Sequence, residues 1–181
     1  MAFMFNLRLL SSSVKFLCCA ILLALVPEAV PQTKAASKAS WDSFYAEQMK
    51  LRQSGTAALE RERTRSKANL CEKAGVEGGK AIVDCLVAET TITEKDYLTY
   101  VRAIGALLRL RTPDEADQKT PKRLPFDAAE EDWQKYRDQS CKSVSTQWID
   151  VQSSISDADC RLKLTWNHMH ELESLYSDLW H

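Results

Sequence analysis

Four cysteines, Cys71, Cys85, Cys141 and Cys160, limit the folds open to this 181-residue chain more than any other feature. Two more, Cys18 and Cys19, lie inside an uncharged apolar run at residues 16–26 (FLCCAILLALV) that follows Arg8 and Lys15 and ends at Pro27. That arrangement reads as a secretory signal peptide spanning residues 1–39. Small residues at the last and third-last positions place cleavage after Ala35, with Thr33 before it, or after Ala39, with Ser37 before it. A membrane span needs roughly 20 apolar residues, about twice this run, so the reading gives no stable membrane anchor. An even number of cysteines in an exported, periplasmic or secreted chain points to disulfides.

Removing residues 1–39 takes away Arg8, Lys15, Lys34, Lys38 and Glu28, so 20 Lys+Arg face 24 Asp+Glu, a net charge of −4. That balance gives no reason to expect a nucleic acid partner. Residues 40–181 are the length of a single domain. Five glycines in the whole chain are too few for a turn-rich β-sandwich, and the abundance of Ala, Leu, Glu, Lys, Arg and Gln favours helix.

The hydrophobic spacing predicts an all-α, disulfide-stapled small bundle of four to five helices. A first helix, capped by Ser40 or Asp42, carries Trp41, Phe44, Tyr45, Met49 and Leu51 and breaks near Ser54-Gly55. A second runs over 56–74 to Gly75, with the charge run at 60–67 as a solvated face. A short helix over 80–90 follows, and Thr93 with Asp96 resembles a capping box for the next. That next helix buries Tyr97, Val101, Ile104 and Leu108. Residues 112–125, with Pro113, Pro121 and Pro125, form the longest loop. From Asp127 a helix buries Phe126, Ala129, Trp133, Tyr136, Ser140, Val144 and Trp148. A polar stretch over 150–156 separates it from a last helix with Leu162, Trp166, Met169, Leu172, Tyr176 and Leu179 on one face.

Four cysteines allow three pairings. Cys71 and Cys85 flank one turn and Cys141 and Cys160 another, which favours local staples, with pairing between the two halves as the alternative. Structural zinc takes ligand pairs two to four residues apart, which the spacings of 14 and 19 do not provide.

The run Trp133-Gln134-Lys135-Tyr136-Arg137-Asp138-Gln139-Ser140-Cys141 resembles the W-x-x-Y/F-R-D-x-x-C signature of the lysozyme inhibitor LprI-like family, a group of small exported bacterial proteins. Cys160, Thr165 and Leu172 continue the resemblance, and Cys71-Glu72-Lys73-Ala74 with Asp84-Cys85-Leu86 resemble the family's N-terminal cysteine segment. Roughly residues 68–175 are covered. The chain departs from the pattern in having no glycine over 143–159 and His168 where the family has arginine. The resemblance implies an exported helical binding protein that blocks a lysozyme by occluding its cleft. The motif residues Trp133, Tyr136, Arg137, Asp138 and Thr165 are read as structural: Trp133 and Tyr136 as core, Arg137 and Asp138 as neighbours too close in sequence to pair with each other.

His168, His170, Glu171 and His181 gather near the C-terminus, but the H-E-x-x-H pattern, a nucleophile elbow and a phosphate-cradling glycine loop are missing from the sequence. No catalytic residue, metal ligand or cofactor is assigned, and the expected role is protein binding without enzymatic chemistry. Candidate contact surfaces are the loop at 112–125 and an acidic loop at 150–159. An envelope assembly factor on the same scaffold is the alternative. A small-molecule carrier with a pocket between Trp148 and Trp166 is a third reading.

Overall fold

A computed structural model describes residues 37–181 apart from 69 and 120–122. The expected leader lies outside the described residues except for its last three, and so do Cys18, Cys19 and Pro121. The described residues form five α-helices: α1 Lys38–Ser66, α2 Glu72–Glu77, α3 Gly79–Arg109, α4 Pro125–Ser145 and α5 Asp150–Leu175. Short 3-10 turns cover Pro113–Glu115 and Ser177–Trp180. Among the described residues no helix is long and apolar enough to cross a membrane.

The bundle is all-α, and α3 is its central rod. It packs against both α1 and α5, which also touch each other, while α4 leans chiefly on α5. The main core joins Ala58 and Leu59 of α1, Tyr97, Tyr100 and Ile104 of α3, Phe126 of α4, and Met169 and Leu172 of α5. A smaller cluster of Leu86, Ala158 and Leu162 sits nearer the disulfides, with Cys71, Ile82, Ile155 and Trp166 against it. The pairings are Cys71–Cys85, Cα atoms 5.8 Å apart, and Cys141–Cys160, Cα atoms 5.4 Å apart, which are the local staples. Each closes a short loop and so contributes about 3 kcal/mol through the unfolded chain.

Several expected boundaries are corrected. The first helix does not break at Gly55, because that glycine serves close packing: a Cβ there would lie 2.6 Å from the Trp180 ring and 3.1 Å from Ala103 Cβ. Its cap is Ser37, whose side chain accepts the Ser40 N–H at 3.3 Å, rather than Ser40 or Asp42. It ends at Ser66, and Gly75 lies inside α2 instead of terminating a helix at 74. The chain turns at Gly78, whose φ of 102° suits glycine. Residues 80–109 are continuous helix, so Thr93 and Asp96 cap nothing; their side chains reach α1.

On α4 the buried side was misplaced by one position. Phe126, Glu130, Arg137, Cys141 and Ser145 are buried, Trp133 is half-buried, and Ala129, Tyr136, Val144 and Trp148 are exposed. The cause is that the buried stripe carries a glutamate and an arginine, which a hydrophobic pattern assigns to solvent. Pro125 opens this helix at its first position, and the Asp127 carboxylate accepts the Leu124 N–H at 2.7 Å. Residues 150–156 are the opening turns of α5 rather than a separating loop, because Asp150 turns the chain directly into helix at φ 52°.

The two glycines offer opposite outcomes in equilibrium unfolding. Gly55→Val should lower stability by about 1–3 kcal/mol, since the Trp180 ring, stacked on Tyr100 at 5.3 Å, has little room to shift. Gly75→Ala should raise it by about 0.5–1 kcal/mol, because the added methyl meets nothing within 4 Å and removes a helix-interior glycine. Equal midpoints for the two variants would contradict the packing role assigned to Gly55.

Candidate functional site

Polar and charged side chains are buried beside the apolar core. On α1 the charge run at 60–67 was read as a solvated face, and this is corrected: Glu62 is only 1% exposed. It falls on the same side as Gly55, Ala58 and Leu59, so helical spacing carries it inward. Its Oε2 accepts the Thr93 hydroxyl of α3 at 2.6 Å and the Trp166 indole N–H of α5 at 2.7 Å. Arg65 Nε stands 3.1 Å from Glu62 Oε1, and Arg65 extends the network by hydrogen bonding the Glu89 carboxylate. Beside it Arg61 grips both oxygens of Asp96, at 3.1 and 2.5 Å. Arg63 reaches across to Glu173 of α5 at 2.5 Å.

These environments move two carboxylates apart. Burial lifts Glu62 above the ordinary glutamate value of 4.5, and hydrogen bonds from Thr93 and Trp166 only partly counter it. Burial acts upward on Asp96 too, but its hydrogen bonds and attraction to Arg61 overcome that and hold it below the usual 3.8.

A second polar cluster gathers Trp133, Arg137 and Asp138 of α4 with Thr165 of α5. Arg137 lies buried where α3, α4 and α5 meet. Its Nη1 donates to Glu94 Oε2 at 2.5 Å and to Thr165 Oγ1 at 3.4 Å. Its Nε and Nη2 each lie 3.2 Å from Asp138 Oδ1, so the adjacent pair does interact, against the expectation. A long arginine can fold back on its own helix neighbour, which an argument from Cβ directions overlooks. Asp138 also accepts from Arg161 of α5 at 2.6 Å. The guanidinium stands 5.3 Å from the centre of the Trp133 ring. Trp133 in turn stacks on His168 at 3.9 Å, with 9° between the planes. Tyr136 stays apart from this group, 58% exposed, which corrects its assignment to the core.

His168 Nε2 lies 3.1 and 3.2 Å from the two Glu130 oxygens, and its Nδ1 lies 3.2 Å from Glu171. Glu130 also accepts the Tyr97 hydroxyl at 2.8 Å. Burial first, and then the Glu130 charge, push the Tyr97 phenol well above its usual range. The sequence marks His168 as a departure from the resembled pattern, and only the place of Glu130 in the α4 stripe points to it as a partner. A charged residue three or four places along an otherwise apolar stripe was the available signal. Among the described residues no group of three or more His, Cys, Asp and Glu is placed to hold a metal ion.

At the disulfide end, the turn between α4 and α5 presents apolar side chains to solvent. Trp148 is 52% and Ile149 81% exposed, with Val144 and Val151 exposed beside them. Backbone bonds order the turn: Thr146 N–H to Lys142 O, Gln147 N–H to Val144 O, and Trp148 N–H to Ser145 O, at 3.1–3.2 Å. The expected pocket between Trp148 and Trp166 is not formed by this placement, since Trp148 projects outward while Trp166 is tied to Glu62 within the bundle. The expected acidic loop at 150–159 is helical, with Asp157 and Asp159 paired to Arg161 and Lys163. The other expected surface, at 112–125, begins with the 3-10 turn at Pro113–Glu115. A scan against protein-family models and searches of curated proteins and of solved structures return no match to this chain.

Two substitutions test these buried polar contacts. Because Glu62 holds its proton more tightly folded than unfolded, the folded chain takes it up first as pH falls towards 4.5. Protonation over that window adds stability that Glu62→Gln cannot gain, so the stability of the wild type relative to the variant should rise as pH drops from 7 towards 4.5. Urea midpoints of both proteins across that range would show it, and a constant difference would refute it. Below about 3.8 the Asp96 contribution is lost in both, as its depressed value requires. Arg137→Ala should cost about 1.5–3 kcal/mol in the same assay, with Arg137→Lys recovering only part because it cannot fork between Glu94 and Asp138.

Proposed function

We propose that this chain is an exported, disulfide-stapled helical binding protein of the LprI-like kind, which inhibits a lysozyme by inserting the 146–149 turn into its cleft. The observation that carries the reading is that turn: two large apolar side chains, Trp148 and Ile149, stand exposed on backbone that is already hydrogen bonded. The helices flanking it are fastened by Cys141–Cys160, and Asp150 holds a left-handed conformation at its exit. A tip ordered before binding loses little entropy on association, and aromatic residues in such positions dominate binding energies. The net charge of −4 for residues 40–181 would speed encounter with a cationic enzyme. Disulfides persist in oxidising compartments, which supports export. The binding role needs no catalytic chemistry from this chain.

The test is a titration of several lysozyme types with the oxidised protein beginning at residue 36 or 40, and with its reduced form as control. Stoichiometric inhibition that is lost on reduction is the expected result. Trp148→Ala combined with Ile149→Ala should weaken inhibition about a hundredfold or more without changing the circular dichroism spectrum, since both side chains are exposed. A folded protein that inhibits none of the enzymes would overturn the inhibitor reading and leave the envelope assembly factor in its place.

A further inference from the structure

α3 and α4 leave between them a groove of about 650 Å³. Thr91, Lys95, Leu98 and Arg102 line it from α3, Arg137 from α4 and Arg161 from α5. Positions 91, 95, 98 and 102 are spaced to share one helix face. Four cations therefore border a single concavity in a protein whose residues 40–181 are net negative.

The four do not play the same part. Arg137 and Arg161 are fixed by Glu94, Asp138 and Asp157, so their guanidinium groups are set in place at the groove wall. Glu94, the carboxylate that lines the groove, is taken up by Arg137. Lys95 and Arg102 make no ion pair or side-chain hydrogen bond of their own with any described residue, and both are exposed. They lie seven residues apart on α3, about 10 Å along its axis. Leu98 sits between them and gives the floor an apolar patch. Free cations at both ends, ordered guanidinium groups alongside and an apolar centre form a recognition surface for an extended anion.

We propose that the α3–α4 groove binds a ligand carrying two or more carboxylate or phosphate groups about 10 Å apart, with Lys95 and Arg102 as its primary contacts. The site is separate from the 146–149 turn, so its occupancy and lysozyme inhibition can fail independently.

Calorimetric titration of the oxidised protein with a linear pentaphosphate and, separately, with trigalacturonate, both long enough to place anionic groups about 10 Å apart, tests this and distinguishes a phosphate from a carboxylate source. Saturable 1:1 binding of at least one probe at physiological ionic strength is expected, weakening as salt is raised. Lys95→Glu with Arg102→Glu should reduce affinity about tenfold or more. Lys50→Glu with Lys142→Glu changes net charge equally but lies off the groove, and should leave affinity near wild type. Both pairs are exposed, and matching melting temperatures would confirm that each variant is folded. No saturable binding of either probe would overturn the proposal, as would equal loss in the two double variants, which would reduce the effect to net charge.

Discussion

One buried carboxylate, Glu62, ties three helices together. Its Oε2 is shared by a hydroxyl from α3 and an indole N–H from α5, and its Oε1 faces Arg65 on its own helix. A charge at 1% exposure is costly unless it is paired and hydrogen bonded. Those partners must therefore be in place together, which fixes the rotation of α1 against α3 and α5. An apolar residue at 62 could pack in many registers; a carboxylate whose Oε2 takes hydrogen bonds from two other helices selects one. Polar contacts here supply orientation, while Tyr97, Tyr100, Ile104 and Met169 supply the burial.

Arg137 performs the matching task on the other side of α3. It links α4 to Glu94 and Thr165, lies near the face of Trp133, and shares Asp138 with Arg161. Since α4 touches α3 only lightly, this guanidinium is a main reason the two hold a set distance. The groove between them is thus a consequence of the same contact: a bulky guanidinium, buried and ion-paired, stands where apolar side chains would have closed the gap. Architecture and binding surface arise from one residue.

Legibility of the sequence followed the chemistry of each residue. Cysteine placement across turns led to the observed pairing, because a local staple needs only proximity along the chain. The helical class and the faces of α5 were readable from Leu162, Met169 and Leu172, apolar residues at regular spacing. Failure came where a buried position is polar: Glu62 and Glu130 each look like solvent contacts in a one-dimensional pattern, and their partners on other helices lie 31 to 104 residues away. Glycine misled for a related reason. Gly55 reads as a break, yet its purpose is the approach of Trp180 from the far end of the chain. The exposed turn at 146–149 is not legible in the sequence, because helical spacing assigns Val144 and Trp148 to the buried side and exposure of large apolar groups is a tertiary fact.

The distribution of rigidity bears on how such a protein could work. Both disulfides lie in the half of the bundle that carries the 146–149 turn and the smaller apolar cluster, where Leu86, Ala158 and Leu162 offer less burial than the main core. Covalent staples are placed where packing alone is thinnest. A turn bearing Trp148 and Ile149 in that region would otherwise fold inward or sample many states, since exposed apolar groups gain by finding cover. Gly79 sits against Val151, so the start of α3 also braces the first turn of α5. The cost of holding apolar side chains in water is thereby met by the fold before any partner arrives, which is the condition under which a small surface can bind tightly.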